Sequence, residues 1–146
     1  EVSGGRPVFV ARTATLGVRA LAARESEIVA DQNSVVRPVA ETPRPVAAFC
    51  GIGNPRAFFR HLRREGFTLA HERAFRDHHF YTQPEIDALC REAGSRGARA
   101  LVTTAKDAVK LEGLRFTLPC YVLETGLKFD EEGAFLELVR AAIRRA

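Results

Sequence analysis

The sequence predicts a three-layer α/β fold, with a mostly parallel sheet of about four strands, helices on both faces and a short N-terminal β appendage. From Val46 onward, short apolar runs alternate with segments of helical periodicity, a pattern that implies right-handed crossovers and a parallel sheet. Turn and cap residues separate these segments. The 146 residues, 46% of them hydrophobic, suffice for one ordinary core.

Residues 1–41 are predicted to be an inter-domain β connector. Arg6 to Arg12 and Ser26 to Val39 have strand-like apolar residues around polar turns, too few to bury a core alone. Prolines between residues 38 and 45 mark extended chain. We therefore expect a Rossmann-like α/β domain over residues 42–146.

The first unit of this domain is a strand, a turn and a helix. Val46 to Ile52 is a short apolar run that ends near glycine. Asn54 then suits a helix N-cap and Pro55 the first helical position. The helix is expected to stop before Gly66 and to bury one face, which carries Phe58, Phe59 and Leu62.

Similar units follow. Phe67 to Phe75 is predicted to be a second strand, and Thr82 with Glu85 has the capping-box spacing for a second helix, whose apolar face carries Ile86, Leu89, Cys90 and Ala93. The remaining predicted elements are strands at Ala98 to Thr104 and Cys120 to Thr125 and helices at Ala105 to Leu111 and Glu131 to Arg145. The apolar stripe of the last helix comprises Phe135, Leu138, Val139, Ala142 and Ile143.

Composition excludes several classes of protein. The net charge is only +4, so no nucleic-acid partner is indicated. Three cysteines without a C-x-x-C pair favour buried thiols in a reducing compartment over a disulfide framework or a zinc ribbon. No apolar run reaches the roughly 18 residues of a membrane span, and no signal peptide opens the chain. We expect a soluble, cytosolic protein and, because Met is absent, a piece of a longer chain.

Three polar motifs follow the first three predicted strands: GIGNP from Gly51, DHHFYT from Asp77 and TTAKDAVK from Thr103. The carboxyl ends of parallel strands share one edge of a sheet, so the motifs should gather there. GIGNP suits either an anion-binding loop at a helix N-terminus or only a tight turn before a capped helix. The third motif suits a ligand contact or only a capped helix with a solvated charge pair.

The DHH motif, Asp77 to His79, is the most reactive cluster. A carboxylate beside a histidine can fix its tautomer, which suits a general base or its helper; a structural loop histidine is the open alternative. Adjacent histidines on an extended loop point in different directions, so we predict no shared metal site.

Two further features bear on ligands. The helix from Pro55 to Gly66 is rich in arginine, which suits either a solvated surface or a site for anionic lipid head groups. The sequence contains no G-x-x-x-x-G-K-[ST] motif, so the main phosphate-binding residues for any nucleotide must lie elsewhere.

Three stretches of this sequence are FCGIGNPRAFFRHLRREGF, AFRDHHFYTQPEIDAL and LVTTAKDAVKL. Taken together, they resemble the carboxyl-terminal half of tetraacyldisaccharide 4'-kinase, the lipid A 4'-kinase of Gram-negative bacteria. The resemblance covers residues 46 to 125, and RPVFVAR is similar to the segment that joins the two halves of the family. It implies transfer of the ATP γ-phosphoryl to the 4'-hydroxyl of tetraacyldisaccharide 1-phosphate at the cytoplasmic side of the bacterial inner membrane.

The resemblance also implies partners. ATP and Mg²⁺ would be bound mainly by an amino-terminal P-loop domain that this sequence lacks, so we expect the chain to be inactive alone. That domain, the lipid and the membrane surface are the expected partners, with no nucleic acid.

By the same resemblance, His78 would contact the partner acid across the cleft while Asp77 orients the imidazole. The residues expected to face substrate or nucleotide are Gly53, Asn54, Thr104, Lys106 and Asp107, and His79 is left unassigned. Two alternatives remain: a metal-dependent DHH-type phosphoesterase, which only five Asp residues disfavour, and a noncatalytic α/β module that binds a partner protein.

Overall fold

The computed structural model describes residues 7–21 and 35–144. Along these residues the strands and helices are β1 (Ala11–Ala20), β2 (Val46–Cys50), α1 (Pro55–Arg64), β3 (Leu69–Ala74), α2 (Gln83–Ser95), β4 (Ala100–Thr104), α3 (Ala105–Ala108), β5 (Cys120–Phe129) and α4 (Glu132–Arg144). A short 3-10 turn at Val39–Glu41 precedes β2.

The strands form one sheet in the order β1-β5-β4-β2-β3. β2 pairs in parallel with β3 and β4, and β4 pairs in parallel with β5. The Leu21 amide donates to the Cys120 carbonyl at 2.8 Å, so the end of β1 meets the start of β5, as in an antiparallel pair. The predicted α/β class with a mostly parallel sheet is confirmed.

The amino-terminal strand differs from the prediction. Residues 7–10 are not in a strand, and the predicted β appendage is β1, which begins at Ala11 and lies at the edge of the main sheet as its fifth strand. Most of the predicted strand over Ser26 to Val39 lies outside the described residues; within them, Arg37 makes one antiparallel bridge, to Val18. β1 lies at the sheet edge and buries only Gly17 and Val18, so its sequence shows no clear apolar alternation.

The core lies on both faces of β2, all of whose residues are buried. Side chains alternate along a strand, so one face of β2 packs with Phe58, Phe59 and Leu62 of α1. The other face packs with Ile86, Leu89, Cys90 and Ala93 of α2. This arrangement is the predicted three-layer packing, and all three cysteines are buried free thiols, as expected.

The predicted helix caps are present. The Asn54 side chain accepts a hydrogen bond from the Ala57 amide at 3.2 Å, and Thr82 and Glu85 form the capping box of α2. The third helix is shorter than expected and ends at Ala108. No helix among the described residues is long and apolar enough to cross a bilayer.

The chain divides into two compact units, Leu16–Glu124 and the pair of segments Glu1–Thr15 and Thr125–Ala146. In the second of these, Phe135 of α4 stacks on Phe129 with ring centroids 4.3 Å apart. The rest of the predicted apolar stripe is not buried: Ile143, for example, is 70% exposed. The domain boundary expected near residue 42 stays a prediction.

Candidate active site at the carboxyl edge of the sheet

The three polar motifs meet at Gly51, the first residue after β2. The Gly51 amide donates to Asp107 Oδ1 at 3.1 Å, and the Gly51 carbonyl accepts from the His78 amide at 3.1 Å. One residue of the first motif is therefore bound by both of the others. These hydrogen bonds confirm that the motifs gather at one edge.

Asp77 and His78 lie in a tight turn, in which the His79 amide donates to the Arg76 carbonyl at 3.1 Å. His78 has a φ of 58°, in the left-handed region that residues other than glycine seldom adopt. Its side chain is 89% exposed, and Nε2 lies 3.7 Å from Asp77 Oδ2, too far for a hydrogen bond. The imidazole therefore projects toward solvent from a backbone held by its neighbours.

Asp77 acts on the backbone of the turn. Its Oδ1 accepts from the His78 amide at 3.0 Å, so this hydrogen bond orients the peptide, while Oδ2 lies 3.7 Å from the imidazole Nε2. Gly53 lies beside this carboxylate, since a β-carbon on Gly53 would be 3.4 Å from Asp77 Oδ2. Gly53 and Asn54 are exposed, and the Asn54 side-chain oxygen is engaged in the cap of α1.

Asp107 faces the interior of the protein, not a ligand. Its exposed fraction is 0%, and Oδ1 accepts from the Gly51 amide at 3.1 Å and from the Tyr81 hydroxyl at 2.9 Å. Thr104 Oγ1 donates to Oδ2 at 2.6 Å. The sequence left open whether Asp107 contacts ligand or braces the loop, and this geometry favours bracing, with Thr104 in the same network.

The two lysines of the third motif differ in their surroundings. Lys106 is exposed and has no ionic or hydrogen-bonding partner in the part of the chain that the structure describes, so its ammonium group is available to an anion. Lys110 Nζ lies 3.9 Å from Asp107 Oδ1, and its side chain is 18% exposed. Lys106, not Asp107, is thus the group of this motif that a ligand can reach.

His79 is a structural residue. Its Nε2 lies 3.1 Å from both carboxylate oxygens of Glu85, and its ring stacks on Phe75 with centroids 4.8 Å apart. The two histidines of the motif therefore point in different directions, as expected for adjacent residues. His79 holds the motif against α2, and His78 faces outward.

Tyr81 belongs to the site although no pattern in the sequence assigned it a role. It is 7% exposed, and Phe49 and Phe75 meet its ring edge to face at 5.7 and 5.0 Å. Burial, and after it the negative charge of Asp107, raises the pKa of the Tyr81 hydroxyl, so this group stays protonated and donates. The residue lies at the end of the polar motif, but only the fold shows which acceptor it reaches.

Burial and the nearby charge of Asp107 also affect the thiol of Cys50, at the end of β2. Burial, followed by the charge of Asp107, raises the pKa of its thiol to about 12. A thiol with such a pKa is not a nucleophile near neutral pH. Cys50 is therefore part of the core beneath the site and not a reactive group in it.

The described residues offer no cluster of metal-ligating side chains. They contain no group of three or more His, Cys, Asp or Glu side chains that could hold a metal ion. Both oxygens of Asp107, the most buried acid of the site, are already bound by protein donors. What the arrangement offers is an exposed imidazole, a carboxylate and a lysine along one edge of the sheet.

Comparisons with known proteins support the family resemblance that these motifs indicated. A sequence model of the family described as tetraacyldisaccharide-1-P 4'-kinase matches residues 5–144. The tetraacyldisaccharide 4'-kinase of Methylobacterium sp. is 44% identical over 111 residues, 76% of this chain and 31% of the relative. That of Nitrobacter hamburgensis is 36% identical over 137 residues, 91% of this chain and 40% of the relative.

A similar fold occurs in a crystal structure of LpxK from Aquifex aeolicus in complex with ATP. The TM-score is 0.61 at 21% sequence identity, over 97% of this chain and 38% of that one. This chain therefore spans less than half the length of these relatives. Because the family model matches nearly all of its residues, the chain belongs to the tetraacyldisaccharide-1-P 4'-kinase family.

Proposed function

We propose that this chain is the carboxyl-terminal part of a kinase of lipid A biosynthesis, which transfers the γ-phosphoryl group of ATP to the 4'-hydroxyl of tetraacyldisaccharide 1-phosphate. Family membership supports the class of reaction. The observation that carries the role of this chain is His78: an imidazole 89% exposed, beside Asp77, on a loop that the other two motifs hold in place.

Phosphoryl transfer depends mainly on positioning and on stabilisation of charge. The 4'-hydroxyl oxygen would form a bond to the γ-phosphorus while the bond to the β–γ bridging oxygen breaks, so ADP leaves and the hydroxyl proton passes to the carboxylate of an acidic residue. In this proposal the acid lies in a P-loop domain that also binds ATP and Mg²⁺. His78 would hydrogen-bond to that acid when the two parts close over the substrates.

We also propose that α1 meets the membrane surface. Arg56 and Arg60 are exposed on this helix and have no ionic partner among residues 7–21 and 35–144. Guanidinium groups bind phosphate oxygens well, so this side of α1 suits anionic lipid head groups. The enzyme would then act as a peripheral protein at the cytoplasmic side of the inner membrane, where its lipid substrate lies.

The test is His78→Ala in the full-length protein. We expect kcat for 4'-phosphorylation to fall by about 100-fold or more, the usual loss when a positioned acid–base group is removed. His71→Ala is a matched control, because His71 lies on β3 and contacts Glu92 at 3.1 Å. Wild-type activity in the His78→Ala enzyme would exclude the proposed role of the imidazole.

A further inference from the structure

We propose that Asp107 and Tyr81 are positioning residues that fix the orientation of His78 through the backbone of Gly51. This inference rests on the proposed function of His78. Neither side chain is placed to touch a substrate, since Asp107 is 0% exposed and Tyr81 is 7% exposed. Their effect must reach the surface through other groups.

The hydrogen bonds form a continuous path from the interior to the turn. The Tyr81 hydroxyl donates to Asp107 Oδ1 at 2.9 Å, and the same oxygen accepts from the Gly51 amide at 3.1 Å. On its other side, the Gly51 carbonyl accepts from the His78 amide at 3.1 Å. The Gly51 N–H and C=O belong to two planar peptide units that share the Gly51 α-carbon, so with the N–H anchored on Asp107 only φ and ψ of Gly51 can move the carbonyl that holds His78.

The parts of this path are packed tightly enough to transmit a displacement. A β-carbon on Gly51 would lie 3.1 Å from three atoms, the Arg76 carbonyl oxygen, His79 Cβ and the Tyr81 hydroxyl. Two phenylalanines pack against the Tyr81 ring. A buried acceptor that loses one donor is costly, so the loops should shift to satisfy Asp107 again if the Tyr81 hydroxyl is removed.

His78 needs such support because its side chain makes no hydrogen bond to the described residues that would hold it. Its distance to Asp77 Oδ2 is 3.7 Å, and its φ of 58° is unfavourable for a residue with a β-carbon. A conformation of this kind persists only when the surroundings determine it. The His78 amide makes two contacts that do so, with the Gly51 carbonyl and with Asp77 Oδ1.

The experiment compares Tyr81→Phe with Tyr121→Phe in the full-length protein. Both substitutions remove one hydroxyl, but Tyr121 lies on β5 in the packing cluster on the other face of the sheet. We expect Tyr81→Phe to lower kcat about 10-fold with KM for both substrates nearly unchanged, because small misplacements of a catalytic group slow the reaction. We expect Tyr121→Phe to leave kcat unchanged.

A double-mutant cycle separates positioning from general destabilisation. If Tyr81 acts through His78, Tyr81→Phe should cause no further loss of kcat in the His78→Ala background. A merely structural role would lower kcat by the same factor in both backgrounds. An equal fold-loss of kcat in the two backgrounds, or an unchanged kcat for Tyr81→Phe in the wild-type background, would overturn the inference.

Hydrogen exchange at the His78 amide provides a readout that does not depend on activity. We expect faster exchange in Tyr81→Phe and wild-type exchange in Tyr121→Phe, and unchanged exchange in both would overturn the inference. If His78→Ala proves fully active, the proposed function fails, while the exchange rates still report whether the path holds His78.

Asp107→Asn is the conservative rescue. Its amide oxygen can accept from Gly51 and Tyr81, and its NH₂ group can donate to Thr104, so we expect most of kcat to remain. Asp107→Ala should lose at least as much kcat as Tyr81→Phe. If Asp107→Ala fails to fold, the comparison of Tyr81→Phe with Tyr121→Phe decides.

Discussion

Gly51 shows how residue size controls the approach of the motif loops. Its amide and carbonyl are both used, one by Asp107 and the other by His78. The space beside its α-carbon is filled by the Arg76 carbonyl, His79 and Tyr81, each 3.1 Å from where a β-carbon would lie. Only glycine allows both loops to come this close without displacement of a neighbour.

Gly51→Ala should therefore destabilise the protein by about 1–3 kcal/mol, the usual effect of overpacking a tightly filled site. Gly94→Ala is the matched control: a β-carbon added there on α2 would meet no heavy atom from outside the helix within 4 Å, and alanine favours a helix over glycine by roughly 0.5–1 kcal/mol. Urea unfolding of both variants measures the difference. Equal stability of Gly51→Ala and the parent protein would contradict the close contact.

At the scale of elements, each motif loop is anchored to the element that follows it. Asn54 caps α1, Thr104 caps α3, and Thr82 with Glu85 caps α2. Glu85 has a second role, because both of its carboxylate oxygens lie 3.1 Å from His79 Nε2. Hydrogen bonds from the Thr82 backbone and then from His79 lower the pKa of Glu85. The start of α2 and the middle motif are thus stabilised by one carboxylate.

Thr82→Ala should destabilise the protein by about 1 kcal/mol, the typical loss for an N-cap residue. Because the folded-state pKa of Glu85 is lowered, its stabilising contribution is present above the unfolded-state pKa and is lost as pH falls through the folded-state pKa. The Thr82 hydroxyl donates to Glu85 Oε2 at 3.0 Å and supplies part of this lowering, so the destabilisation by Thr82→Ala, measured by urea unfolding, should shrink on acidification. Thr117→Ala, at an exposed position between α3 and β5, is the control, and an equal effect of both substitutions would argue against the cap.

On the scale of the whole molecule, the chain spans less than half the length of its relatives. Its described residues supply an exposed histidine, an aspartate and a lysine, but no group of three or more His, Cys, Asp or Glu side chains that could hold a metal ion. Its sequence contains no G-x-x-x-x-G-K-[ST] motif. In the proposed reaction another part of the enzyme would bind ATP and Mg²⁺, and this chain would contribute His78 and a basic surface.

The isolated 146-residue chain should fold but form no 4'-phosphorylated lipid, because its sequence contains no G-x-x-x-x-G-K-[ST] motif to hold the ATP phosphates. The measurement is phosphoryl transfer from γ-labelled ATP to tetraacyldisaccharide 1-phosphate, with the full-length protein as the positive control. Circular dichroism of the same sample shows whether the chain is folded. Transfer above that of a blank reaction would refute the expectation.

Much of the fold was predictable from local patterns. The caps at Asn54 and at Thr82 with Glu85 follow from short spacings, and the meeting of the motifs follows from the order of strands and helices. β1 was misplaced because an edge strand with two buried residues carries little apolar alternation. The stripe of α4 was correctly identified as apolar, but its periodicity does not show that Ile143 stays exposed.

Local sequence patterns were enough to predict the α/β class, the helix starts and the motifs that mark the family, because these depend on residues close together along the chain. The folded protein was needed to show that Asp107 points inward, that Tyr81 is its donor and that His79 braces the loop while His78 faces solvent. Those directions depend on contacts between residues 26 and 56 positions apart, such as Tyr81 to Asp107 and Gly51 to Asp107. Contacts at such separations exist only once the sheet has brought the strand ends together.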